Sequence, residues 1–181
     1  ALLEHARWAY EALTGPFLDR EFGGVFWSVK SDGRAEVAKK QVYGEAFAIY
    51  GLAEYAAALL SFGGARAGDS ARGDPAPEEP LRLALELFGL LELHARDPLH
   101  GGYVEARARD WSPTGDLKLS DKDIDCDKSM NTNLHVMEAF TTLHRVLGAF
   151  IDGSPGAGGN ADSLKLARER VGEALESLVN A

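Results

Sequence analysis

The chain has 181 residues, 45% of them hydrophobic and 26% charged, with a formal net charge of −9. This is the composition of a globular protein with one sizeable core, and the acidic balance argues against nucleic acid or an anionic membrane as a partner, since both need a basic footprint. The single cysteine, Cys126, excludes an internal disulfide and a cysteine-based metal site, and it fits a reducing, cytoplasmic compartment. No apolar run has the length of a membrane span, and no stretch has the charged, apolar and cleavage-site order of a signal peptide.

The first residues already read as the middle of an amphipathic helix, and the last stop while a helical pattern is still running. The expectation is a partial domain over 1–181, truncated at both ends. A helix over about 1–14 places Leu3, Ala6, Tyr10 and Leu13 at helical spacing, with Trp8 in the core, and Gly15-Pro16 stops it. Residues 21–29 read as a short strand after a glycine turn, and Ser31-Asp32-Gly33-Arg34 as a hairpin turn. A second helix, about 39–61, is apolar on more than one face, the mark of an element buried on several sides. Residues 62–80 read as a flexible inserted loop rich in Gly, Ala and Pro.

Helical packing resumes over about 81–96 and ends at Asp97-Pro98. A second glycine turn and short strand follow at 101–106, then a polar loop and a long helix over about 128–150. A loop from Gly153 to Gly159 leads to a last helix from about Ser163. The order repeats: Gly23-Gly24 and Gly101-Gly102 lie 78 positions apart, each after a helix and an Asp-containing turn and before a long apolar helix. Such self-similarity implies stacked αα-hairpins, as in a solenoid or toroid.

The helix opening at 128 is the chemically dense element. Asn131, His135 and Glu138 share one face by i, i+4 and i+3 spacing, poor choices for a plain core stripe. The repeat pairs Asn131 and His135 with Tyr43 and Phe47 on the earlier helix, also i, i+4. Aromatic walls beside polar groups at a shared helix-end rim are how a sugar pocket is built. Each residue has a plainer reading: Asn131 as a helix-start residue, Tyr43 and Phe47 as core aromatics, Glu138 as the partner of His135 Nδ1. The run Asp121–Asp127 fails as a calcium loop, because its sixth and twelfth places hold Cys126 and Thr132. It reads instead as a solvated approach, with Asp127 favourable near the helix N-terminus.

Three motifs resemble the N-acylglucosamine 2-epimerase superfamily, most closely its cellobiose 2-epimerase branch. They are Gly23–Val29 with Asp32-Gly33, Lys39–Leu52, and Lys128–Asn131 continuing to Ala139-Phe140; Gly102–Ala106 with Arg109 and Trp111 is a weaker fourth. The resemblance implies an all-α fold: a segment of an (α/α)6 barrel built of αα-hairpins, with short β-hairpins at one end. It implies epimerisation at C2 of a reducing-end aldose, or aldose–ketose isomerisation, through an enediolate and without cofactor or metal. His135 matches a family histidine that assists ring opening and holds the carbonyl end. Asn131, Tyr43 and Phe47 match substrate-contacting positions, and Trp27 and Glu138 are further candidates for that role. The family's essential arginine and its two principal acid/base histidines fall outside residues 1–181. Close relatives often carry histidine where this chain has Asn133, a change expected to be tolerated, and Glu45 stands where glutamine or a small polar residue is common. The competing classes are a non-catalytic helical-repeat binding protein and a glycoside hydrolase, the latter with Glu105 and Glu138 as the only carboxylate pair to consider.

Overall fold

A computed structural model describes residues 2–62, 73–120, 122–153 and 158–180. Five helices dominate: α1 (Leu2–Ala12), α2 (Val42–Phe62), α3 (Glu78–His94), α4 (Met130–Gly153) and α5 (Gly158–Val179). Two small antiparallel pairs accompany them. Strand β1 (Ser28–Val29) pairs with β2 (Ala35–Val37), and β3 (Lys40–Gln41) pairs with β4 (Ala106–Arg107).

Helix α2 is the hub. It packs against both α3 and α4, and α4 also packs against α5. Its buried positions, among them Ile49, Leu52, Ala53 and Ala56, go most of the way round the helix, as a neighbour on several sides requires. Phe140 of α4 fills the junction, meeting Phe88 of α3 edge-on at 4.9 Å and Tyr103 at 5.6 Å. Tyr103 is itself fixed by donating its hydroxyl to Glu92. Helices α2 and α4 run in the same direction: Tyr43 and Phe47 meet His135 near their N-termini, and Glu54 pairs with Arg145 further along. The C-terminal His94 of α3 stacks on Trp111, which lies against Gly24 and so near the start of α2. Helix α3 is therefore antiparallel to α2.

Some boundaries differ from those read in the sequence. Helix α1 does not stop at Gly15-Pro16 but loosens into a π-turn over Leu13–Phe17 that carries Pro16 inside it. Among the described residues none of α1 is buried, and Trp8 is 53% exposed rather than in the core. The segment 21–29 is not a continuous strand, because Gly23 and Gly24 both take positive φ; Val25 makes a lone bridge to Leu18, and regular pairing begins only at Ser28. The same happens at Gly101 and Gly102, where Tyr103 bridges Arg96. The hairpin turn is as expected, with Gly33 at φ 82° and its amide donating to Lys30 O. Of the inserted loop, residues 63–72 lie outside the described residues, while Phe62 still belongs to α2 and Glu78–Pro80 already belong to α3. Of the Gly153–Gly159 loop, residues 154–157 lie outside the described residues, and α5 begins at Gly158.

Candidate active-site face

The start of α4 is set by Ser129. The Ser129 hydroxyl accepts the Thr132 amide at 3.1 Å, an N-cap that satisfies one of the unpaired amides of the first turn. Glu105 completes the clamp: its two oxygens take the Ser129 amide at 2.6 Å and the Thr132 hydroxyl at 2.7 Å. This buried carboxylate is occupied by the helix end, so it is not half of a cleft-spanning pair with Glu138, and the glycoside hydrolase arrangement is absent from these residues.

With α4 fixed in this way, His135 meets the aromatics of α2. Its ring centroid lies 4.9 Å from Tyr43, edge-on, and 4.8 Å from Phe47; Tyr43 and Phe47 are 4.9 Å apart. Trp27 stands edge-on to Tyr43 at 6.4 Å. It reaches there because Gly44 has no side chain, since a Cβ at that position would come within 3.2 Å of the indole. The four rings form one continuous surface. Phe47 remains 44% exposed and borders a small notch with Tyr50, His135 and Glu138. The Nδ1 of His135 lies 2.8 Å from Glu138 Oε2. A carboxylate only accepts, so Nδ1 carries the hydrogen in the neutral ring and Nε2 is left as the acceptor. Asn131 is exposed one turn before His135. Beyond Trp27 and Phe47 an apolar groove of about 700 Å³ runs between α1 and α2, past Tyr10, Phe17 and Tyr55. A second hollow of about 740 Å³ is lined by charged residues of α1 and α3, and none of the six predicted site residues borders it.

Two clamps that sequence reading passed over position this surface. Asp19 accepts the amides of Glu21 (3.1 Å) and Phe22 (3.3 Å), the Lys40 ammonium (2.9 Å) and the Arg109 guanidinium (2.8 Å). Burial alone would raise its pKa, but the hydrogen bonds from Arg109 and Lys40 more than reverse this and hold it well below the usual carboxylate range. Asp97, at the equivalent place in the second repeat, accepts the amides of Leu99 (2.9 Å) and His100 (3.1 Å) and the Lys128 ammonium (2.7 Å). Lys128 is the main reason that Asp97 too is held below the usual range. The signal was present as Asp-x-x-x-Gly-Gly twice, each followed by a lysine two residues before a long helix. Asn133 is equally structural. Its carboxamide accepts the Tyr103 amide at 2.8 Å and donates to the carbonyls of Tyr103 (3.1 Å) and Ser129 (3.0 Å).

Comparison with known proteins agrees with this architecture. The family model described as N-acylglucosamine 2-epimerase (GlcNAc 2-epimerase) matches residues 2–148. A cellobiose 2-epimerase of Bacteroides fragilis is 42% identical over 143 residues, 79% of this chain and 32% of that protein. One from Ruminococcus albus is 35% identical over 147 residues, 81% of this chain and 33% of that protein. Among solved structures, cellobiose 2-epimerase from Spirochaeta thermophila superposes with a TM-score of 0.70 at 38% identity, covering 98% of this chain and 36% of the other. That from Bacillus thermoamylovorans gives 0.65 at 29% identity, covering 90% and 36%. The chain thus spans about a third of the length of the relatives it matches. Its helices form a segment of an (α/α)6 barrel; of its two short strand pairs, β1–β2 is the expected hairpin, whereas β3–β4 joins strands separated by α2 and α3, and the chain belongs to the N-acylglucosamine 2-epimerase family.

Proposed function

We propose that this chain contributes one wall of the reducing-end sugar pocket of a carbohydrate 2-epimerase of the cellobiose type. The observation that carries the reading is the packing of Tyr43 and Phe47 around His135, with Nδ1 of that histidine held by Glu138. Aromatic faces suit the C–H faces of a pyranose. The imidazole, oriented by Glu138, presents Nε2 to the oxygens at the C1 end of the sugar. There it accepts the O1 hydroxyl proton as the C1–O5 bond breaks, with O5 taking a proton from solvent, and the protonated imidazole then donates a hydrogen bond to the new C1 carbonyl oxygen. Loss of the C2 proton then gives an enediolate, and return of a proton to the opposite face inverts C2. His135 is proposed to stabilise the oxygen end of that intermediate. The groups that remove and return the C2 proton are proposed to belong to the two thirds of the relatives' length that this chain does not span. Asn131 and Trp27 are proposed to contact the saccharide from the rim. The similarity to proteins named cellobiose 2-epimerase supports a neutral disaccharide over mannose or N-acylglucosamine.

The test is isotope exchange. Full-length protein is incubated in heavy water with cellobiose, mannose or N-acylglucosamine. Deuterium at C2 of recovered substrate and epimer, strongest with cellobiose, is the expected result; no exchange into any aldose overturns the proposal.

A further inference from the structure

The two repeats differ at Glu45. It occupies the same turn of α2 as Asn133 does of α4, three residues into each helix. Each accepts an amide at 2.8 Å from the residue after a Gly-Gly pair: Val25 donates to Glu45 Oε1 and Tyr103 to Asn133 Oδ1. The approach is equally close in both places, since a Cβ on Gly24 would fall 2.6 Å from Glu45 Oε1 and one on Gly102 would fall 2.8 Å from Asn133 Oδ1. The difference lies in the second side-chain atom. Asn133 Nδ2 donates to two carbonyls, whereas Glu45 Oε2 is buried with no hydrogen-bond partner among the described residues.

A carboxylate in that place would be an unsatisfied buried charge, which proteins avoid by neutralising the group. The neighbouring charges do not rescue it. Lys40, on the approach to α2, gives its ammonium to Asp19; Arg109, from the loop after β4, is bound to Asp19 and Glu21. The Trp111 ring, on which His94 stacks, lies against the same face of Gly24 as Glu45 Oε1 and brings no charge to it.

We propose that Glu45 is a positioning residue that works as an uncharged acid: Oε1 accepts the Val25 amide while a proton on Oε2 donates to the Gln41 or Val25 carbonyl, as the Asn133 carboxamide does to Ser129 and Tyr103. The arm it ties to α2 carries Trp27 two residues beyond Val25, so ionisation, with the proton released to water, loosens Trp27 from Tyr43. Burial pushes the Glu45 pKa up to about 8, against the opposing pulls of the Val25 amide and Lys40. A raised folded-state value means that stability is complete below the unfolded carboxyl value and is lost as the pH rises towards about 8.

The experiment compares full-length wild type with E45Q by denaturant midpoint from pH 4.5 to 9, and by saccharide turnover over the alkaline range. The turnover arm rests on the proposed epimerase reading; the midpoint arm does not. Expected is a gap in favour of E45Q that opens from about pH 5 to 8, up to tenfold in the folding constant per pH unit, and then levels. Turnover of wild type should fall above pH 8 while that of E45Q holds. Parallel midpoint curves, or an E45Q protein that is the less stable one at pH 7, overturn the Glu45 proposal. A gap in midpoints without turnover of any aldose upholds it and overturns the epimerase reading instead.

Discussion

The imidazole of His135 is held through Nδ1 by the carboxylate of Glu138 at 2.8 Å, so its tautomer and ring orientation are fixed from within α4. If Nε2 is the atom that meets the sugar, the two residues differ in what their loss does. His135→Asn removes the proposed proton carrier and is expected to lower kcat of the full-length protein by about 10²–10⁴, the usual worth of acid–base assistance. Glu138→Gln leaves the imidazole in place but gives up a charge-assisted hydrogen bond worth about 1.5 kcal/mol, roughly a tenfold fall in kcat/KM. Because Glu138 is largely exposed, stability should move by less than about 0.5 kcal/mol. Steady-state kinetics and thermal unfolding on the same two variants check both halves.

Phe47 offers a cleaner separation of binding from folding. Its ring packs on His135 and Tyr43 yet remains 44% exposed, so Phe47→Leu should cost little stability and raise KM several-fold, the worth of one aromatic contact of about 0.5–1.5 kcal/mol. Phe140→Leu, in the sealed junction of α2, α3 and α4, should do the reverse: lower stability with KM unchanged. Titration calorimetry with a non-turned-over saccharide, beside denaturant unfolding, separates the two.

What the sequence made legible follows from the range over which each feature is determined. Helical periodicity is local, so the common face of His135 and Glu138 and the matched face of Tyr43 and Phe47 could be read from spacing. Which of those faces would touch required the repeat, because only the repeat says that α2 and α4 run parallel. Trp8 shows the limit: its apolar face is evident, but periodicity does not say what covers that face. The roles of Glu45 and Asn133 were hidden for another reason. Both are decided by backbone amides 20 and 30 residues away, brought close by glycines at positive φ. Asp19 needs Arg109 from 90 residues downstream, a pairing with no local trace.

The two aspartate clamps should not be equally costly to break. Asp19 and Lys40 are both essentially sealed from solvent, whereas Asp97 and Lys128 are partly exposed. Asp19→Asn leaves a buried ammonium facing a weak partner and is expected to cost about 3–5 kcal/mol; Asp97→Asn should cost clearly less. Both carboxyls have folded-state pKa values below the ordinary one, so their stabilising contribution is complete above about pH 4 and is lost as the pH falls through the folded value. Denaturant midpoints from pH 2.5 to 6 should therefore fall less steeply in the acid range for either variant than for wild type.

Glycine-to-alanine substitutions should change sign along this chain, and the sign is set by φ and by space. At Gly24, φ is 75° and a Cβ would lie 2.6 Å from Glu45 Oε1 and 2.7 Å from the Trp111 ring, both anchored groups. Left-handed strain and overpacking together predict a loss of roughly 2–4 kcal/mol. Gly33, at φ 82° with its nearest neighbour 3.4 Å away, carries the strain without the clash and should lose only about 1–2 kcal/mol. Gly51 lies inside α2, and among the described residues nothing comes within 4 Å of where an alanine methyl would sit. Alanine there should gain up to about 1 kcal/mol from reduced backbone entropy in the unfolded chain. Urea unfolding of the three variants tests the order. If Gly24→Ala proved as benign as Gly51→Ala, the arm carrying Trp27 would not be pinned to α2 as described, and the orientation of Trp27 towards Tyr43 would lose its structural cause.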